Sequence, residues 1–526
     1  MESTGGLGMR GKRPTGWALG FAALTLLLRL PFLRLPFDPT DEGYYAAVAQ
    51  SSVRGSRLYA DLWYVRPPFL NVVYAWSYRF SLGTAMPYDD AVRVFSAVFV
   101  AATVGVLAWV LFSELAPRAA ILGAAMAALL AASLSLQNEA NAETWMLLPY
   151  AASALLVLHV ALHDPPNRRA LWALALAGAL TGVAAGFKQV ALVNLALPIV
   201  TCAVFDRRHI RRWIGRTCAF IAGTAAVWAG ILIGLGFLDD VRAFLYYAWF
   251  RNMVYVRASR AGSYSIRAAF ATLTGPLAAF SLSLVVVLAL FAFSLSRNRA
   301  WTRSPRIGVF SLAWLGVSAI GVAASGRFYP HYFVQTTIPL ALLLAASVDT
   351  VFAADARART STTSFALIAV LTLLCPTLSY VADLRDANSI AAQRQLYKDL
   401  AQRELPRLTP PGGSFLVWGI SVSVNAYTPL QAASRLPVVA YDYGWTPTDR
   451  GRLLGEEFPS TADVVLAELR QREPDTVLLT VPLNASDASI PHNDGVRLTS
   501  ALYALLAEHY TVVERGTGYV VLTHRR

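Results

Sequence analysis

Apolar runs long enough to cross a bilayer recur between residues 17 and 383, and no other feature limits the fold as tightly. A hydrocarbon core about 30 Å thick takes roughly 20 apolar residues of helix. About eleven runs meet that length, with approximate bounds 17–35, 90–112, 119–136, 144–162, 170–187, 189–205, 214–237, 270–295, 307–325, 332–352 and 364–383. Of 526 residues, 56% are hydrophobic and 15% charged, which leaves too little polar surface for an ordinary soluble enzyme. The chain reads as a polytopic membrane protein.

Arg10, Lys12 and Arg13 precede the first run, and no small-residue cleavage site follows it. It therefore reads as a retained helix with its N-terminus in the cytoplasm. Arg168-Arg169, the group Arg207, Arg208, Arg211, Arg212 and Arg216, the group Arg297, Arg299, Arg303 and Arg306, and the pair Arg357 and Arg359 fall in alternate loops. The positive-inside rule assigns those loops to the cytoplasm, and an odd number of spans puts the C-terminus outside. The net charge of +13 is on this reading a topology signal, and no nucleic-acid partner is expected. Cys202, Cys218 and Cys375 lie in or beside spans, so neither a disulfide framework nor a cysteine-rich metal site is available.

Past Asp383 the composition becomes that of a soluble domain. Ser414 to Gly419 and Thr476 to Val481 read as buried strands, Ala462 to Arg472 as a helix between them, and Tyr397 to Leu405 has helical spacing. The expected architecture is an all-α polytopic membrane domain over 1–383 followed by a small α/β domain over 384–526, outside the membrane. Two outer loops are rich in aromatic residues. The first, about 36–89, holds the stretches Tyr44 to Val53 and Phe69 to Phe80; the other, about 238–269, holds Tyr246, Tyr247, Trp249, Phe250, Tyr255 and Tyr264 among Arg242, Arg251, Arg257 and Arg260. Both suit the membrane interface.

Asp41-Glu42 stand a few residues past the first span, and Arg66-Pro67-Pro68 follow about two dozen residues later. Adjacent acids ahead of a helix starting near Tyr44 either cap it or do chemistry. Asn138-Glu139-Ala140-Asn141-Ala142-Glu143 lie between the third and fourth spans; Glu143 reads as the cap and Glu139 as the site residue. Lys188, isolated between two apolar runs, is costly there and reads as a phosphate contact or a snorkelling cation. Arg327-Phe328-Tyr329-Pro330-His331-Tyr332 open the tenth span, where Arg327 and His331 offer cationic groups to phosphate or sugar, or Pro330 simply starts the helix. Asn484-Ala485-Ser486 form a glycosylation sequon on paper. No nucleotide-binding or metalloprotease signature accompanies these residues.

Asp41-Glu42-Gly43-Tyr44-Tyr45 with Arg66-Pro67-Pro68-Phe69 resemble the first external loop of the GT-C glycosyltransferases, most of all the bacterial relatives of protein O-mannosyltransferases and lipid A aminoarabinose transferases. Val417-Trp418-Gly419 and Ala433-Ser434-Arg435 are similar to the external C-terminal domains of such relatives. The resemblance implies a GT-C fold in the bacterial inner membrane. It implies transfer of a sugar from a polyprenyl-phosphate donor, with inversion, to an external lipid, cell-wall glycan or protein. Asp41, with Glu42 beside it, is then the catalytic carboxylate; Glu139 or Glu143 is the second acid; Arg66, Lys188, Arg327 and His331 face the donor phosphate. Arg66 stands where the family has lysine, which keeps the charge and changes its geometry. The superfamily holds metal-dependent and metal-independent members, so a divalent ion (Mg or Mn), held by Asp41 and Glu139, is an open expectation. The competing expectation is a polytopic transporter or lipid flippase, which would carry broken helices or ionisable residues near the midplane.

Overall fold

The computed structural model describes residues 14–136, 139–205, 210–237, 240–253, 266–297, 302–324, 326, 328–354, 362–419, 421–434, 451–453, 456–458, 461–480, 504–516 and 518–525. Arg327, the arginines Arg207, Arg208, Arg299, Arg357 and Arg359, the residues Tyr255, Arg257, Arg260 and Tyr264, the N-terminal Arg10, Lys12 and Arg13, the sequon at Asn484, and Asn138 and Arg435 lie outside the described residues.

Nine helices among the described residues are long and apolar enough to cross a membrane. The helices of the first half are α1 (Pro14–Arg29), α2 (Asp41–Val53), α3 (Pro68–Gly83), α4 (Tyr88–Glu114), α5 (Pro117–Ala132), α6 (Ala142–His163), α7 (Asn167–Phe187), α8 (Leu197–Phe205) and α9 (Ile210–Phe237). Ala278–Arg297, Arg303–Ala324, Thr337–Ala354 and Thr362–Asp399 follow. Two expected spans are shorter than a full crossing: α5, and the pair made of a 3₁₀ segment Gln189–Ala196 with α8. The span expected to begin at 270 is interrupted by a turn at Gly275-Pro276, between Ile266–Thr274 and Ala278–Arg297. Proline removes a helical N–H there and its ring clashes with the preceding turn. Large apolar side chains stay exposed along the long helices, for example Ile214, Ile221, Ile233 and Phe237 of α9 and Leu367, Leu371, Leu374 and Leu378 of the last one. Such faces suit lipid rather than water.

The chain divides into two compact units. The first comprises residues 1–33, 94–229 and 266–385. Its helices are tied by short polar links in an otherwise apolar interior: Ser153 to Thr181 between α6 and α7 at 2.8 Å, and Tyr150 to Ser318 at 2.7 Å. Helices α7 and α9 approach until a Cβ on Gly178 would lie 1.8 Å from the Phe220 carbonyl, so only glycine fits. Asp383 accepts the Leu134 and Ser135 N–H groups, at 2.7 and 3.3 Å, and the hydroxyls of Ser133 and Ser135, which satisfies the backbone just past α5.

The second unit comprises residues 34–93, 230–265 and 386–526. Its five-stranded sheet has the order β2-β1-β5-β7-β6, where β1 is Ser414–Gly419, β2 Gln431–Ala432, β5 Thr476–Thr480, β6 Tyr510–Gly516 and β7 Tyr519–His524. β1 runs parallel to β2 and β5, and β7 antiparallel to β5 and β6. A separate hairpin pairs β3 (Gly451–Leu453) with β4 (Glu456–Phe458). The helix Thr461–Arg472 precedes β5, as the apolar spacing predicts. Ala401, Leu405, Phe415, Val417, Val424, Leu478 and Val521 form the core.

Helix α2 differs from the expected interfacial helix, because Glu42 to Gln50 are buried all round. A Cβ on Gly43 would fall 2.5 Å from the Ser423 backbone, and the Ser423 N–H donates to Pro39 O at 3.2 Å. α3 keeps the one-sided character predicted for it, exposing Val72, Trp76, Phe80 and Leu82.

Candidate functional site

The candidate residues fall into one cluster in each unit. In the second unit, Asp41 and Glu42 occupy the first turn of α2, where carboxylates complement the positive end of the helix dipole. Glu42 is fully buried and meets Arg93 through both guanidinium nitrogens, at 2.5 and 2.6 Å, and it accepts the Asp38 N–H at 2.9 Å. Arg93 also donates to the Leu35 and Pro36 carbonyls, at 3.3 and 3.1 Å. This bidentate pair fixes the chain entering α2. Asp41 is only half-buried.

Further contacts hold the same entry segment. Tyr427 accepts the Phe37 N–H at 2.7 Å and donates to Asp89 at 2.9 Å, and Asp89 also meets Lys398 at 2.7 Å. Burial, with the Asp89 charge adding to it, raises the Tyr427 pKa well above the usual tyrosine value, so its hydroxyl stays a donor. Arg394 donates to Pro36 O at 3.2 Å.

The two motifs of the first loop meet through tyrosines. Tyr44 donates to Trp63 O at 2.9 Å and accepts from Val65 N at 3.1 Å; Tyr59 donates to Arg66 O at 2.7 Å; Asn252 donates to Val65 O at 2.9 Å. Tyr59 has φ +71, a left-handed conformation that the surrounding bonds hold. Arg66 Nε donates to the Tyr45 hydroxyl at 3.2 Å. Tyr45 lies one helical turn after Asp41 on α2, on the same face of the helix. Pro67 and Pro68 then start α3. Arg251 stacks over Trp63 at 5.2 Å, and Trp63 packs on Tyr247 at 5.1 Å.

In the first unit, Glu143 sits in the first turn of α6 and its buried carboxylate bonds the Lys188 ammonium. His331 Nε2 lies 3.9 Å from the same oxygen, and Lys188 stands 4.0 Å from the centre of the Tyr332 ring. Lys188 is placed there because α7 ends at Phe187 and the backbone turns extended before Gln189. Pro330 starts a 3₁₀ segment, Pro330–Thr336, that carries His331 and Tyr332, and the Tyr329 and His331 rings stack at 5.7 Å. Glu139 is buried, and its backbone carbonyl accepts from Arg29 at 2.8 Å. Thus Glu143 joins Lys188 and His331, while Asn141 occupies the N-cap position of α6 without a capping hydrogen bond from its side chain.

Sequence reasoning singled out neither Arg93 nor Asp89. The available signal was a charge inside the opening turns of an apolar span, which demands a partner. Among the described residues, Glu114, His159 and His163 are the group of three or more metal-ligating side chains whose donor atoms converge, and Asp41 and Glu139 take no part in it.

No protein-family model matches the sequence, and no curated protein matches it. Solved structures do match in fold. ArnT from Cupriavidus metallidurans, bound to undecaprenyl phosphate, superposes with a TM-score of 0.58 at 15% identity, over 97% of this chain and 98% of that one. The archaeal oligosaccharyltransferase AglB from Archaeoglobus fulgidus, in complex with an inhibitory peptide and a dolichol-phosphate, gives 0.52 at 10% identity, over 98% of this chain and 74% of that one. At these identities the likeness speaks for the fold, which is of the GT-C type expected from the first-loop motifs.

Proposed function

We propose that this chain is an integral-membrane glycosyltransferase that moves a sugar from a polyprenyl-phosphate donor to a lipid, glycan or protein acceptor, with inversion at the anomeric carbon. The observation that carries the reading is the bond from Arg66 to Tyr45, one turn after Asp41 on α2. It gathers a half-buried carboxylate and a guanidinium whose fork suits phosphate. In the fold neighbours the named lipids are undecaprenyl phosphate and a dolichol-phosphate, and a lipid-borne donor matches that chemistry. The transporter alternative is not favoured by this fold.

In the proposed reaction Asp41 accepts the proton of the acceptor hydroxyl as the oxygen forms a bond to the anomeric carbon. The bond from that carbon to the phosphate oxygen breaks, and the departing polyprenyl phosphate takes both bonding electrons. Arg66 neutralises the charge that develops on the phosphate. In the first unit we assign Lys188 and His331 as cations for a phosphate group, with Glu143 holding Lys188 until an anion binds. Glu42, engaged by Arg93, positions the turn that carries Asp41. Reading the arginine-rich loops as cytoplasmic, we infer that the protein lies in a bacterial inner membrane with its acceptor outside the cytoplasm.

The test is sugar transfer from a synthetic polyprenyl-phosphate donor in membranes carrying equal amounts of each variant. Asp41→Asn keeps the side chain's size and loses its basicity, so the rate is expected to fall by about a hundred- to ten-thousand-fold with the protein still inserted. Near-normal turnover by that variant would sink the reading.

A further inference from the structure

The end of α6 remote from Glu143 carries a second constellation. His159 and His163, four residues apart, share one face of α6, with ring centroids 4.2 Å apart and planes tilted by 35°. Counted along the helix axis, His163 lies about 30 Å from Glu143, so this is a separate place in the same unit. Phe99 packs on Trp145 at 5.1 Å and Trp109 on His159 at 6.5 Å, so α4 and α6 run in the same direction. Their C-terminal ends therefore lie together, and Glu114, the last residue of α4, meets the two histidines. Two helix C-termini and a carboxylate whose side chain is 5% exposed make a strongly negative place, which calls for a cation.

The described occupant is Arg303, whose guanidinium contacts Glu114 Oε2 and lies 3.2 Å from His163 Nε2. Arg303 is itself poorly placed, because it begins its own helix, where positive charge opposes the dipole. Its side chain is 45% exposed and can swing into solvent.

The ring geometry suits a metal. His163 Nδ1 lies 3.1 Å from the His159 carbonyl oxygen, which can only accept, so Nδ1 carries the proton. Nε2, facing the Arg303 donor, is then the lone-pair nitrogen, and a backbone carbonyl bonded to the other ring nitrogen is how metal-binding imidazoles are commonly held. Glu114 Oε1 lies 3.5 Å from His163 Nε2, and the three ligand atoms all fall within 4.8 Å of one another. Two ligands of a tetrahedral zinc ion stand about 3.3 Å apart, given bonds of about 2.0–2.1 Å. Small rotamer changes close that gap.

We propose that Glu114, His159 and His163 bind a divalent ion of the zinc type in the place of the Arg303 guanidinium, with solvent as the fourth ligand on the exposed side of His163. Two imidazoles and one carboxylate select a borderline cation over magnesium or calcium, which take oxygen ligands. Binding would clamp the ends of α4 and α6 and release the start of the helix Arg303–Ala324.

The experiment uses full-length protein in detergent, purified on a tag without histidine and dialysed against a chelator. Zinc alone is then titrated in, with cobalt in parallel for its visible spectrum. The expected result is one equivalent of zinc bound by the wild type, and cobalt bound in its place to the metal-free protein with a four-coordinate spectrum that zinc then abolishes. His159→Ala and His163→Ala should each weaken binding by roughly a hundredfold or more. Arg303→Gln, at an exposed position that leaves the helices intact, should tighten it by roughly tenfold because the competing charge is gone. No stoichiometric zinc on the wild type, or undiminished binding after both histidines are replaced, would overturn the proposal. An Arg303→Gln variant that binds zinc no better than the wild type would overturn it even where the histidine variants fail to fold.

Discussion

Glu42 meets Arg93 through both nitrogens of a fork that also reaches two backbone carbonyls; Glu143 meets Lys188, an ammonium on a flexible stem resting over the Tyr332 ring. Both acids are buried, and each has a cation. The difference is what each cation can do next. Arg93 cannot move without giving up four hydrogen bonds, so its pair fixes backbone. Lys188 is a point charge that can turn from a carboxylate to a phosphate by rotating its stem. Burial of an ion pair therefore does not by itself mark function; the geometry of the cation separates the two.

Double replacements break this comparison most directly. Replacing one member of a buried pair strands the other, at a cost of about 3–5 kcal/mol, whereas replacing both with apolar groups of similar size is often neutral. Arg93→Met should lower the thermal midpoint sharply, and adding Glu42→Leu should recover only the part due to the stranded charge, because the Leu35 carbonyl and the Asp38 N–H lose their partners as well. Lys188→Met with Glu143→Leu should also recover stability. Its sugar transfer should remain depressed by roughly a hundredfold or more, as when a cationic or oxyanion partner is lost. Transfer restored in the second double variant would mean that both pairs are structural.

A milder change sharpens the structural side. Gly43→Ala puts a methyl 2.5 Å from the Ser423 backbone, where neither strand of chain has room to yield. The expected loss is about 1–3 kcal/mol of stability, the range for overpacking, read from the thermal midpoint in detergent. Gly55→Ala, with nothing within 4 Å but φ +105, is the control that separates crowding from backbone strain. Equal losses at both positions would show that the approach of α2 to Ser423 is not tight.

The legible parts of this molecule were those that depend on local composition. Apolar runs located the long helices, and strands β1 and β5 were readable from short apolar β-branched segments. The motif from Asp41 to Tyr45 and the one at Arg66 were legible because each is contiguous, although their junction through the Tyr45 hydroxyl is not. Arg93 was hidden because its partner lies 51 residues upstream and its neighbours read as an ordinary span. The last helix runs on to Asp399 because Gln393, Gln395, Leu396 and Lys398 are good helix formers. Composition shows where apolar character stops, and a helix does not have to stop there. Spacing along the chain set Glu143 as the cap and Glu139 as the site residue; the bond from Lys188 to Glu143, 45 residues apart, leaves no trace in that spacing.

Tyr64 asks whether the first-loop region holds anything besides scaffolding. Its side chain is fully buried against Tyr44 and Tyr59, with ring centroids at 5.7 and 5.9 Å, yet its hydroxyl has no hydrogen-bond partner among the described residues. Burial, the largest influence, raises its pKa well above the usual tyrosine value, so it remains a neutral O–H near Arg66 at working pH. A buried hydroxyl without a partner costs roughly 1–3 kcal/mol, and a purely structural site would be better served by phenylalanine. Tyr64→Phe is therefore expected to be as stable as the wild type or slightly more so, by up to about 1 kcal/mol. If the hydroxyl donates to the donor phosphate or sugar beside Arg66, transfer should nonetheless fall by roughly tenfold, the effect of one lost hydrogen bond of about 1.4 kcal/mol. The two readouts are thermal midpoint and transfer rate on the same preparation. A gain in stability with an unchanged rate would return Tyr64 to the packing of the loop and leave Asp41 and Arg66 as the groups of that unit facing substrate.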